Sequence, residues 1–233
     1  MSAPATARAR VRAQLTREIV DAARLELAES GAAGLSLRAV ARRLGMVPSA
    51  LYRYFDSRDA LLTALIVDAY GSVGAAAEAA DAGAAGEGPL GRWLAVARAV
   101  RRWGADHPQE WALVYGSPVP GYRAPQDTVV AALRITTVVA GIVADAVAPG
   151  SSAIGGLPPG PAGLGPAVAP VEALLLPGRP PEVVAGAVVA WTQLIGTVSL
   201  ELFGHYVGAA EDFDVVFDYT MAATAHLLGL GVG

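Results

Sequence analysis

The chain has no cysteine, which rules out both a disulfide framework and a thiolate metal site. Lysine is also missing, so all 17 Lys-or-Arg charges are arginines. Aromatic residues make up only 6% of the 233 positions, and the histidines are three: His107, His205 and His226. No two of them stand at metal-ligand spacing, and there is neither a Gly-x-Ser-x-Gly elbow nor a glycine-rich loop placed to cradle phosphate. Nothing here assembles an enzyme mechanism, so no catalytic residue, metal or cofactor is assigned. A secretory leader is not expected either, because Arg8, Arg10, Arg12 and Arg17 interrupt what would be its apolar core. The expected location is cytoplasmic. No alternating strand pattern competes with helical spacing, so the fold class is all-α.

Charge is divided unevenly. Residues 1–63 hold ten arginines against six acids, a net of +4, whereas residues 64–233 hold seven against fifteen, a net of −8. A basic head on an acidic body suits a part that meets nucleic acid joined to a part that does not.

Within the head, residues 36–55 read SLRAVARRLGMVPSALYRYF. Ser36 is an N-cap residue type, and Leu37, Val40, Ala41 and Leu44 recur on one helical face. Gly45 ends that helix because glycine takes the left-handed conformation without steric cost. A second helix is expected from Pro48, with Val47, Leu51 and Phe55 packing back and Ser49, Tyr52 and Arg53 facing outward. Two short helices about a glycine turn, with small and hydroxylated residues outward, describe a helix-turn-helix for the DNA major groove. An amphipathic helix over 12–30 buttresses it, with Leu15, Ile19, Ala22 and Ala23 inward. Residues 1–10 are expected to be a solvated tail, with Arg8, Arg10 and Arg12 the alternative basic arm. Ser57 and Asp59 suit the start of a following helix.

The run GMVPSALYRYFDSRDALL resembles the signature of the TetR family of bacterial transcriptional regulators, over about residues 12–66. The resemblance implies DNA-facing roles for Arg38, Pro48, Ser49, Ala50, Tyr52, Tyr54 and Arg58. Arg38 is the best placed for bidentate guanine readout, Tyr52 and Tyr54 would bond phosphates, and Arg58 would do so at its helix start. Helical spacing turns Tyr54 toward the core and Arg53 outward, so Arg53 either faces DNA or pairs with an acid on the first helix. Val47 stands where the family often has Ser or Thr, which removes the usual cap.

Further helices are expected at 90–105, 109–115, 126–147, 182–207 and 212–228. The Gly/Ala-rich stretch 71–91 is the expected joint, and the Pro/Gly-rich stretch 149–170 a long loop with too few large side chains to offset its ordering entropy. Residues 183–200 carry no charge, but Thr192, Gln193, Thr197 and Ser199 interrupt them and no Arg flank surrounds them. A core on one face and a partner subunit on the other explains such a helix; no membrane insertion is expected.

The expected organisation is a helix-turn-helix domain at 11–57, a linking helix at 57–70, and a C-terminal ligand-binding and dimerisation domain at 71–233. Residues RRWGADHPQEWALVYGSPVPGY and WTQLIGTVSLELFGHY resemble a C-terminal domain found in a subset of the family. That resemblance implies a ligand site drawing on Trp103, His107, Trp111, Tyr115, Arg134, Trp191 and Glu201, with ordinary core packing the alternative for the tryptophans. Arg134 and Glu201 either pair with each other or face a ligand's polar end. It also implies a homodimer built on the last two long helices, with Gly186, Ala190 and Gly196 allowing close approach and Phe213, Phe217 and Met221 as a second stripe. The expected partners are double-stranded DNA bearing a palindromic operator and an apolar or aromatic small-molecule inducer that releases a repressor. A ligand-independent DNA-binding regulator is the alternative, with a helical small-molecule-binding enzyme a more distant one.

Overall fold

The computed structural model describes residues 7–148, 151 and 154–231. Among them the backbone forms ten α-helices and no strand, as the spacing predicts. They are α1 (Ala7–Gly34), α2 (Leu37–Arg43), α3 (Pro48–Leu51), α4 (Arg58–Gly83), α5 (Gly88–Asp106), α6 (Pro108–Tyr115), α7 (Asp127–Asp145), α8 (Leu164–Leu175), α9 (Pro181–Leu202) and α10 (Phe213–Leu227).

Two compact units emerge. The first comprises 7–69 and Gln109–Val129; the second comprises Tyr70–Pro108 and 130–231, less the undescribed positions. Residues 109–129 therefore cluster with the N-terminal helices, although in sequence they lie within 71–233.

In the first unit, Ile19, Ala23, Leu27, Leu35, Val40, Leu51, Leu61, Leu62 and Leu65 form a core from which solvent is excluded. The expected tail is helix from Ala7 on, since Arg, Ala, Gln and Leu dominate there and are strong helix formers. Residues 1–6 lie outside the described residues. Gly31, at φ 67° and ψ 173°, breaks the helical path near the end of α1. After α2, Gly45 at φ 65° closes a Schellman motif: Met46 N–H donates to the Ala41 carbonyl (2.8 Å) and Gly45 N–H to that of Arg42 (3.1 Å). The start of α2 corrects one expectation. Ser36 occupies the cap position in extended conformation, but its side chain makes no capping bond. Ser57 does cap: its Oγ accepts from Ala60 N–H at 3.1 Å.

In the second unit the largest buried side chain is Trp93, whose Nε1 donates to the Met221 carbonyl at 2.9 Å and so joins α5 to α10. Removing such a ring costs about 3–5 kcal/mol. Around this core every inter-helix ion pair among the described residues uses an arginine. Arg92 bonds Asp81 and Asp145, Arg134 bonds Glu78, Arg98 bonds Asp218, and Arg101 bonds Glu201 and Asp214. Arg101 also lies over the Phe213 and Phe217 rings at 5.2 and 4.8 Å. A planar fork serves these paired bonds better than an ammonium, which gives the lysine-free composition a structural use. These groups remain partly exposed, so each pair contributes about 1 kcal/mol or less.

Several expectations are corrected here. The joint expected at 71–91 is largely helix, because α4 runs unbroken to Gly83 through an alanine-rich stretch of high helix propensity. The loop expected at 149–170 gives way to α8 at Leu164: Pro166 falls in the first turn, where its missing N–H costs nothing, although Pro170 sits inside. Positions 149, 150, 152 and 153 lie outside the described residues. α9 ends at Leu202 rather than 207, with Gly204 at φ 78° closing a second Schellman motif. Phe217 and Met221 face the unit's own core and not a partner. A Cβ on Gly186 would meet Ile154 Cδ1 at 2.4 Å, and Ala190 is fully buried, so both serve packing within the chain; Gly196 alone of the three opens onto free space. By length and composition α4, residues 128–145 of α7, and α9 are apolar enough to cross a bilayer, and half of the α9 window is buried inside the protein.

Candidate nucleic-acid interface

The helix-turn-helix comprises α2, the Gly45 turn and α3. Leu37, Ala39, Val40 and Ala41 fix the inner face of α2, which leaves Arg38 and Arg42 exposed on the other side. Neither forms an ion pair or side-chain hydrogen bond with any described residue. Arg43 differs: Glu29 and Glu26 hold its guanidinium and raise its pKa, the Glu29 hydrogen bond most.

α3 is shorter than expected. One α-turn covers 48–51, after which Arg53 N–H bonds Ala50 and Tyr54 N–H bonds Leu51, three residues back. That tighter winding ends where Phe55 N–H returns to the Leu51 carbonyl at 3.1 Å. Leu51 and Phe55 are buried, as the spacing predicts. Val47 is not: it caps α3 with its backbone and is 65% exposed, because a cap residue lies outside the helical face. Pro48 and Ser49 are exposed, Ala50 is half-buried, and Tyr52 is 48% exposed. Arg53 faces solvent without an acidic partner among the described residues. Tyr54 is half-buried beneath Arg12, whose guanidinium carbon lies 5.2 Å from the ring centroid. Arg12 Nη2 also donates to the Arg53 carbonyl at 3.2 Å. The sequence places Arg12 at the edge of a tail, where nothing local signals this contact.

Arg58 is committed to the fold. Its Nη2 donates to the Ala32 carbonyl at 2.6 Å and its Nε to that of Leu35 at 3.1 Å. It thus satisfies free carbonyls where α1 ends, where a cation is also favoured by the helix dipole. A second arginine, Arg24 on α1, gathers acids from three places. Its Nε donates to Glu110 at 2.7 Å, and it also bonds Asp21 and Asp68. Glu110 is only 8% exposed, so this bond carries most of its compensation.

Four of the expected ligand residues line three grooves of the second unit. Trp103 and His107 stack (4.9 Å, 16°) and line an open groove of about 450 Å³ with Ala76, Ala80 and Arg102. His107 Nδ1 lies 2.9 Å from the Trp103 carbonyl, and Trp103 Nε1 donates to Ser72 Oγ. Arg134 lines a different groove of about 490 Å³, and Glu201 a third of about 380 Å³. Arg134 and Glu201 do not pair with each other: Arg134 forks onto Glu78 at 2.7 and 2.5 Å, and Glu201 is held by Arg101. Trp191 is half-buried. Trp111 is fully buried and the Tyr115 ring lies tilted against it, 4.6 Å between centroids, both within the first unit.

A helix-turn-helix buried on its inner face, with Arg38, Arg42 and Arg53 exposed and unpaired among the described residues, has the form of a DNA-binding transcriptional regulator. Residues 19–65 match the family model for bacterial regulatory proteins of the tetR family, and residues 93–224 match that for the tetracyclin repressor-like C-terminal domain. The HTH-type transcriptional regulators Rv1816 of Mycobacterium tuberculosis and Mb1846 of Mycobacterium bovis are each 41% identical over 218 residues, which is 89% of this chain and 89% of theirs. The crystal structure of regulatory protein SCO4313 superposes with a TM-score of 0.74 at 35% identity, over 94% of this chain and 98% of that one. A tetR-family regulatory protein from Rhodococcus RHA1 shares the fold at TM-score 0.60 and 18% identity, over 93% and 97% of the two chains. The chain belongs to the TetR family. Regulators of this family bind DNA, form dimers and are not enzymes.

Proposed function

We propose that the protein is a cytoplasmic homodimeric repressor that holds a near-palindromic operator until an apolar or aromatic small molecule enters its C-terminal part. The observation that carries the DNA half of this reading is Arg38: exposed, without a described partner, and at the start of α2 on the open side of the helix-turn-helix. We assign base readout to Arg38, Ser49 and Ala50, and backbone contacts to Pro48, Tyr52 and Tyr54. Arg58 acts first as the anchor of α1's end, and phosphate contact is secondary for it. Residues 11–57 form the DNA-binding domain, 57–70 the link, and 71–233 the part that binds ligand and partner.

Dimerisation would use the faces of α9 and α10 that this chain leaves uncovered: Val188, Gly196 and Leu200 on α9, Val215 and Tyr219 on α10. Two recognition helices related by a two-fold axis read half-sites about one DNA turn apart. Inducer binding would favour a conformer whose heads no longer match that spacing. Selection of binding sites from random duplexes tests the reading. It should return an inverted repeat, and compounds that raise the melting temperature should also release it.

One observation favours the ligand-independent alternative. Arg134 and Glu201, expected to meet a ligand, are already satisfied by Glu78 and Arg101. A compound library that shifts neither melting temperature nor DNA release would support it.

A further inference from the structure

We infer that Arg12 is a positioning residue for DNA reading: from α1 it locks the C-terminal end of the recognition helix through Tyr54 and the Arg53 carbonyl. This rests on α3 being the helix that reads DNA.

The need for such a lock follows from α3 itself. A helix of one α-turn has almost no intrinsic stability, and its second turn is already tightened to three-residue hydrogen bonds. Its N-terminus lacks a side-chain cap. Leu51 and Phe55 anchor the inner side, but the outer end, where Tyr52, Arg53 and Tyr54 would meet the DNA backbone, needs a tie of its own. Arg12 supplies one with two elements at right angles in chemistry. One N–H donates to the Arg53 carbonyl at 3.2 Å, a carbonyl near the open end of the helix. The guanidinium lies over the Tyr54 ring at 5.2 Å, which fixes the direction of the phenol. Bonding Arg53 through its backbone leaves that residue's own guanidinium free for DNA. Only a planar fork makes both contacts at once, so lysine is not an equivalent.

A charge spent this way does not neutralise a phosphate, and that separates the inference from the basic-arm reading. The test is binding of the full-length protein, by fluorescence anisotropy across a salt series, to its selected duplex and to a random duplex of equal length. Arg12→Ala should weaken the selected duplex about tenfold, as loss of one hydrogen bond and one cation–π contact implies. Random DNA should lose less, since only the Tyr54 backbone contact serves any sequence, and the slope of log K against log salt should be unchanged. Arg12→Lys should behave as Arg12→Ala does, and it keeps the charge and stem should the alanine variant fail to fold. Adding Tyr54→Leu to Arg12→Ala should cost less than the two single losses combined.

A salt slope shallower by about 0.9 with equal loss on both duplexes would make Arg12 a phosphate contact and overturn the inference. Full rescue by Arg12→Lys would do the same. Wild-type preference retained by Arg12→Ala would overturn the inference alone. A wild-type protein without any duplex preference would overturn the DNA reading with it.

Discussion

Arg38 and Arg58 stand 20 positions apart and carry the same side chain, yet their surroundings give them different work. Arg38 meets no described partner, whereas Arg58 donates to carbonyls at the end of α1. Replacing Arg38 by alanine should cost about 1–3 kcal/mol of selected-site affinity and leave random DNA unaffected. Equal losses on both, measured by anisotropy, would reject the base-reading role. Replacing Arg58 by alanine should instead lower thermal stability by about 1–3 kcal/mol, because it strips charge-assisted bonds from a helix end. An unchanged melting curve would show those bonds to be dispensable. The residue types at 38 and 58 are legible in the sequence through the family signature. Their different loads are not, because the carbonyls that occupy Arg58 lie 23 to 26 positions back in the chain.

Among elements, the α2–turn–α3 unit was the most legible, for local reasons. Leu37, Val40 and Ala41 mark a face, Gly45 is needed where φ is positive, and Pro48 opens a helix. A Gly45→Ala change meets no neighbouring atom within 4 Å, so its penalty is conformational only. About 1–2 kcal/mol of stability should be lost, read from denaturant unfolding of the full chain. An unchanged midpoint would mean that the turn adopts another conformation. Less legible were α8 and the distal half of α4. Proline and glycine around α8 mimic a loop by composition, while alanine at 75–80 gives α4 helix propensity without the large apolar residues that mark a face. The contacts of Arg12 are not legible for a third reason: its partners, 41 and 42 positions away, meet it only after folding. Trp103 with His107, Arg134, and Glu201 line three different grooves, a separation that their positions in the sequence do not show.

For the molecule as a whole, electrostatics divides along the chain. The second unit is acidic, and arginines hold Glu78, Asp81, Asp145, Glu201, Asp214 and Asp218. Hydrogen bonds from Arg134 and Arg98 lower the pKa values of Glu78 and Asp218. A carboxylate whose folded pKa is depressed adds stability above its unfolded pKa and loses it as pH falls through the folded one. The protein should therefore be most stable at neutral pH and lose stability progressively in acid below about pH 4. A midpoint independent of pH between 3 and 7 in denaturant titrations, on the order of those limits, would mean that these pairs contribute nothing. The central claim is larger: two copies of this chain read one inverted repeat. Analytical ultracentrifugation of the protein with its selected duplex measures that directly. Two chains per duplex, lost when one half-site is scrambled, is the predicted result. One chain per duplex, or equal binding to scrambled DNA at moderate salt, would contradict it.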